Sequence, residues 1–115
     1  MTIKKGQMWL NRFHNLIEEN LVKSELNNKD IALQLGISER QLYRKLKQLS
    51  GQTPNEYIRH YRLKIAKRYL ETGTYFTVKE VSHAVGYSNV WYFQQQFEQL
   101  FQKRPFLILK EFGWR

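Results

Sequence analysis

The chain has 115 residues, 42% of them hydrophobic and 15% aromatic, which suits one compact domain and leaves little room for a second core. No apolar run approaches the roughly eighteen residues of a membrane span, and the start MTIKKGQMWL lacks a signal peptide's apolar stretch, so no membrane partner is expected. The absence of cysteine excludes disulfides and thiolate chemistry and fits a reducing cytoplasm, while a net charge of +9 points to a polyanionic partner.

In chain order the sequence reads as helical. Trp9, Phe13, Leu16 and Ile17 recur at helical spacing and predict the inner face of a first helix. Asn27 to Asp30 has the form of an N-cap followed by an acid, opening a short helix with Ile31, Ala32 and Leu35 that stops at Gly36. Ser38-Glu39-Arg40-Gln41 is a capping box. It opens a helix whose expected inner face is Leu42, Leu46 and Leu49, ending near Gly51. Thr53 and Glu56 frame a second box, with Pro54 at the first helical position, where its missing N–H is harmless. That helix should run to about Glu71, with Gly73 as its stop. Thr77 to Glu80 starts a short helix ending at Gly86, a longer one spans about Asn89 to Phe101, and Pro105 opens a last one.

These elements repeat. Ile31–Ser38 (IALQLGIS) aligns with Val81–Ser88 (VSHAVGYS) at an offset of fifty residues. Beyond it the offset becomes fifty-one, pairing Leu42 with Phe93, Leu46 with Phe97, Leu49 with Leu100 and Pro54 with Pro105. A short helix, a glycine turn and a longer helix form a helix-turn-helix unit. The expected fold is therefore all-α with about seven helices: two helix-turn-helix subdomains joined by a long linker helix. Within a single domain 1–115, the first unit is expected at 9–53, the linker at 54–72 and the second unit at 73–115. A linker of some eighteen residues spans roughly 27 Å, commensurate with the ~34 Å between successive major-groove faces of one duplex.

Charge is concentrated around the first unit's second helix and the linker. Between Arg40 and Arg68 lie nine Lys or Arg residues and a single acid, Glu56, so +8 of the net +9 falls there. Solvated helices usually interleave acids at three- and four-residue spacing, and this stretch mostly does not.

The string from Ser38 to Leu70, with its serine cap, Leu42, Arg44, Gly51, Pro54, Tyr57, Arg62-Leu63 and Ala66, resembles the AraC-type transcription regulators. The resemblance runs from Trp9 to about Pro105, and the segments Trp9–Leu21 and IRHYRLKIAKRYL are similar to output domains of hybrid two-component regulators. It implies a bacterial double-stranded DNA reader in two-component or other transcription regulation, with a sensory or receiver domain outside this segment. It also implies RNA polymerase as a partner and a monomer in isolation. The second half departs from the family pattern: Ser82 replaces a small alanine, and Gln102 stands where glycine commonly ends the helix. Glutamines Gln94, Gln95 and Gln96 occupy a helix that often carries arginine, and FLILKEFGWR replaces the usual tyrosine-arginine ending.

N-terminal residues of a recognition helix reach base edges, where arginine bonds guanine bidentately and glutamine bonds adenine. On the first such helix the outward face offers Glu39, Arg40, Gln41, Tyr43, Arg44 and Lys47. Matching the family's positions assigns base contacts to Arg40, Tyr43 and Arg44, and on the second helix to Val90, Trp91, Gln94 and Gln95; Gln41, on the same outward face as Arg40, is a further candidate base contact. Val90 and Trp91 are suited to thymine methyls, with core packing an equal alternative for Trp91 and packing on a neighbouring helix an alternative for Tyr43; Phe93 and Phe97 belong to the core. Phosphate contacts are expected from Ser38, Lys45, Lys47, Asn89 and Lys103, with helix amides assisting. Arg62 is implied to brace the fold.

A catalytic reading finds no support: His14, His60 and His83 lie far apart with no ligand spacing, so neither enzyme activity, metal nor cofactor is expected. The alternative reading is a basic helical protein-interaction module that does not bind specific DNA, docking through the apolar tail Phe106 to Leu109 and Trp114. An RNA reader is a third possibility, although no single-strand aromatic platform is visible.

Overall fold

The computed structural model describes residues 4–23 and 27–113. Among the described residues there are seven α-helices, a terminal π-helical turn and no strand. In order they are α1 (Lys5–Glu19), α2 (Asn28–Leu35), α3 (Glu39–Ser50), α4 (Pro54–Thr72), α5 (Val78–Ala84), α6 (Val90–Phe101), α7 (Pro105–Ile108) and the π turn Leu109–Gly113. None is long and apolar enough to cross a membrane. The chain divides into two compact units, residues 4–20 with 27–58 and residues 21–23 with 59–113, so that α4 changes unit between Ile58 and Arg59.

The first unit is built on the α1 stripe Trp9, Phe13 and Ile17, all buried, with Leu16 only half-buried. Spacing of four residues puts this stripe on one helix face. Trp9 stacks on Phe13 at 5.6 Å between centroids, and Tyr57 from the first turn of α4 meets Phe13 edge-on at 5.7 Å. The Tyr57 hydroxyl also hydrogen-bonds Nε2 of His14, whose ring stacks on it, so this histidine is a helix-packing residue. Asn27 caps α2 by accepting from the Lys29 amide at 2.7 Å, and Gly36 ends it with φ 72°. Asp30 lies in the first turn, where the helix dipole favours an acid.

Leu42 and Leu46 of α3 are fully buried, but Leu49 does not complete the stripe. It is 37% exposed and lies over α1, where a Cβ on Gly6 would approach its Cδ2 to 2.8 Å. The expectation of an inner Leu49 is therefore corrected: in the last turn of α3 its side chain covers a glycine on the rim. At the start of α4, Thr53 Oγ1 accepts from the Glu56 amide at 3.2 Å and donates to the Glu56 carboxylate at 3.0 Å.

The second unit packs Leu63, Ala66 and Leu70 of α4 with Val81, Val85, Phe93 and Phe97, all essentially inaccessible. Thr77 caps α5 through the Glu80 amide at 3.0 Å. Arg62 is the charged residue inside this core, 6% exposed. Its guanidinium donates to the carbonyls of Leu21 (2.9 Å), Val85 (2.7 Å) and Lys23 (2.7 Å), which is why a buried cation is tolerated. Burial still lowers its pKa from the ordinary arginine value.

Two of the departures from the family pattern, Ser82 and Gln102, leave a structural trace. The Ser82 side chain is fully buried and its hydroxyl has no partner, while Gln102 closes α6 at φ 59°, a left-handed conformation that suits glycine. The apolar tail splits: Ile108 and Leu109 are buried, Phe106 and Leu107 are exposed, and Trp114 lies outside the described residues. The helix opened by Pro105 is only four residues long before it widens into the π turn.

Candidate nucleic-acid interface

Each unit holds the longer helix of its helix-turn-helix pair, α3 or α6, by burying one stripe and leaving the opposite face to solvent. In α3 the buried residues are Leu42 and Leu46; in α6 they are Phe93 and Phe97, as expected. The fifty-one-residue offset thus survives as equivalent packing within each unit.

At the start of α3 the capping box is complete. Ser38 Oγ accepts from the Gln41 amide at 3.1 Å, and Gln41 Oε1 accepts from the Ser38 amide at 2.9 Å. This occupies the Gln41 side-chain oxygen, so a bidentate adenine contact from Gln41 requires opening the box; its NH₂ remains a donor. The Ser38 hydroxyl still has its hydrogen to give. Arg40, Tyr43 and Arg44 all face solvent, Tyr43 at 47% exposure, so Tyr43 is not absorbed into helix packing. It borders a cleft of about 290 Å³ lined also by Asn28, Glu39, Thr53, Pro54 and Asn55.

The two lysines of α3 are exposed but not idle. Lys45 Nζ sits 5.4 Å from the Trp9 ring centroid, a cation–π distance, and Lys47 Nζ makes a long 3.4 Å contact with the Gly51 carbonyl. Both contacts are at the surface and weak enough for a phosphate to compete with them.

In α6, Asn89 caps the helix by accepting from the Tyr92 amide at 2.9 Å, which leaves its own NH₂ free to donate. Trp91 is 66% exposed, which removes it from the core. Val90 is half-buried, and Gln94 and Gln95 are exposed. Gln96 turns the other way, into a cleft it shares with Arg59, His60, Leu63, Gln99 and Leu100. Lys103 is paired: its ammonium lies 2.8 Å from the Glu111 carboxylate and 6.0 Å from the Phe112 ring centroid. A phosphate contact there has to displace Glu111, an eight-residue pairing across a helix break that no periodicity reveals.

Two further residues belong on the α6 face. Tyr92 is 46% exposed in its first turn, and Glu98 is exposed one turn beyond Gln94 and Gln95. The offset alone was enough to find Glu98, since it pairs with Lys47. Tyr87, inside the same unit, has its phenol pushed up to about 12, first by burial and then by Tyr92, against the opposing pull of Arg59 and Arg62.

Comparison with known proteins gives a consistent picture. A family described as a helix-turn-helix domain matches residues 31–106. The transcriptional activator NphR of a Rhodococcus species is 35% identical over 102 residues, 89% of this chain and 30% of that protein. A histidine kinase of Formosa agariphila is 30% identical over 96 residues, 84% of this chain but 7% of that protein. The chain therefore spans less than a third of the length of these relatives. Among solved structures, a transcriptional regulator from Chromobacterium violaceum, described as having an AraC-type DNA-binding domain, superposes with a TM-score of 0.81 at 28% identity, covering 91% of this chain and 92% of that one.

Proposed function

The chain belongs to the AraC-type family of helix-turn-helix DNA-binding domains found in transcription regulators, and we propose that it binds specific duplex DNA sequences by placing α3 and α6 in adjacent major-groove segments. The observation that carries this reading is the pair of recognition helices, each buried by two apolar residues at matched positions and each open to solvent on the opposite face. The exposed arginines and lysines of α3 support it, because phosphate neutralisation supplies most of the affinity for DNA.

In this reading Arg40, Tyr43 and Arg44 contact bases from α3, joined by the Gln41 NH₂, and Val90, Trp91, Gln94 and Gln95 contact bases from α6. Ser38, Lys45, Lys47, Asn89 and, after release from Glu111, Lys103 hold phosphates. No catalytic role is assigned to any residue. The short share of the relatives that the chain covers supports a sensory or receiver domain elsewhere in the protein, with RNA polymerase as the downstream partner. The domain acts in the cytoplasm and is a monomer by itself.

Selection of sites from a random duplex library by the 115-residue chain tests this. Two short motifs about one helical turn apart are expected. Failure to enrich any motif at low salt, with the protein folded, would favour the interaction-module reading, whose expected docking tail includes the exposed Phe106 and Leu107.

A further inference from the structure

The burial pattern fixes which residues of the two recognition helices are equivalent. Leu42 and Leu46 correspond to Phe93 and Phe97, all four fully buried. The residues turned away from that stripe then pair one to one: Arg40 with Trp91, Tyr43 with Gln94, Arg44 with Gln95, and Lys47 with Glu98, all exposed. On α3 this face holds three cations; on α6 it holds none, and one carboxylate.

We propose that the two helices read chemically unlike half-sites: α3 a guanine-bearing one held largely by charge, α6 an A·T step read by amides and apolar contact. The proposal rests on the DNA-binding reading above and deepens it.

The chemistry follows from what each face can donate. Guanine presents two acceptors, O6 and N7, to the major groove and is best met by the arginine or lysine fork, which α3 has and the α6 face lacks. Adenine presents one acceptor and one donor, the complement of a glutamine side chain, and thymine adds a methyl group suited to an indole or valine. Gln94 and Gln95 lie in the first two turns of α6, the part of a recognition helix that reaches base edges, with Trp91 beside them. Glu98, in the third turn, opposes the approach of a phosphate on that face. Gln96 takes no part, since it faces the cleft formed with Arg59 and His60. Lys103, the first cation in the chain after α6, is already satisfied by Glu111 at 2.8 Å.

The experiment uses the duplex selected by the 115-residue chain, altered one half at a time. Replacing thymine by uracil removes only the methyl, and replacing guanine by 7-deazaguanine removes only N7. Uracil in the α6 half should weaken binding about four-fold, the worth of one buried carbon, and should have no effect on Trp91→Ala. Deazaguanine in the other half should weaken the parent chain and leave Arg44→Ala unmoved. Gln95→Arg should change the selected α6 half toward guanine and steepen the salt dependence by about one unit. Circular dichroism confirms that these exposed variants stay folded. A guanine required by the parent chain in the α6 half, or a degenerate α6 half indifferent to uracil, overturns the proposal while leaving sequence-specific DNA binding intact. A library yielding no motif at all overturns the DNA-binding reading itself, and the proposal with it.

Discussion

The Arg62 guanidinium occupies the space into which a Cβ on residue 86 would project. Gly86 sits at φ 90°, and a Cβ built there collides with Arg62 Nη1 and with the Leu21 carbonyl that Arg62 binds. Glycine is required here twice over, by backbone conformation and by the side chain lying against it.

Gly86→Ala is therefore expected to expel the guanidinium from its three carbonyls and to destabilise the domain by about 3–5 kcal/mol, the range for stranding a buried charge. Arg62→Met, which leaves the same carbonyls unpaired, should also be destabilising. Urea denaturation measures both. A Gly86→Ala variant with an unchanged midpoint rules out this interlock.

Ser82→Ala should stabilise the protein by about 1 kcal/mol, because the hydroxyl is fully buried without a partner and its removal ends a desolvation penalty. The same denaturation experiment gives the sign. A loss of stability means the hydroxyl has found a partner, such as a buried water.

Gln102→Gly should raise stability by about 0.5–1 kcal/mol, since a non-glycine residue holds φ 59° at the end of α6. Glycine loses more chain entropy on folding, so the net gain is smaller than the full left-handed penalty. An unfolding temperature that falls counts against strain at this cap.

Arg44→Ala should weaken specific binding by ~1–3 kcal/mol and relax one base position, whereas Lys47→Ala should weaken all sequences alike and lower the salt slope by about one. Titrations at several salt concentrations against matched and scrambled duplexes separate the two. Equal losses on every sequence for Arg44→Ala would make it a phosphate contact.

The Tyr87 phenol, pushed up to about 12 by burial, ties stability to alkaline pH. Its folded pKa exceeds the ordinary phenol value of about 10, so the folded state holds the proton more tightly. The stabilisation is complete below about pH 10 and is lost as pH rises toward 12. Tyr57 shifts in the same direction. Tyr87→Phe should flatten the decline across this window in a pH series of unfolding curves. An unaltered pH profile would remove Tyr87 as its source.

The sequence carried the helices well because caps and periodicity agreed: Ser38, Thr53, Thr77 and Asn89 each do cap a helix through a side-chain oxygen. The start of α4 at Pro54 was equally readable. Misreadings came where a residue's fate depends on a distant neighbour. Leu49 continues the apolar spacing of α3, yet the glycine it covers is on α1. The pairing of Lys103 with Glu111, which the π turn brings to it, was likewise not legible in the sequence. The division between units at Ile58 and Arg59 falls inside a continuous helix, where composition has no reason to change. For the candidate interface, periodicity located the outward faces and the capping box already implied Gln41's double duty, but the exposure of Trp91 depends on how the folded unit packs.

The division of labour along α6 has a consequence for how such a domain can diverge. Phe93 and Phe97 hold the helix, while Trp91, Gln94, Gln95 and Glu98 stand clear of the core. Surface substitutions of that kind usually change stability by no more than about 0.5 kcal/mol. The outward residues can therefore drift through many combinations without endangering the fold, and under the proposed DNA-reading role a descendant gene can acquire a new target while inheriting an unchanged scaffold.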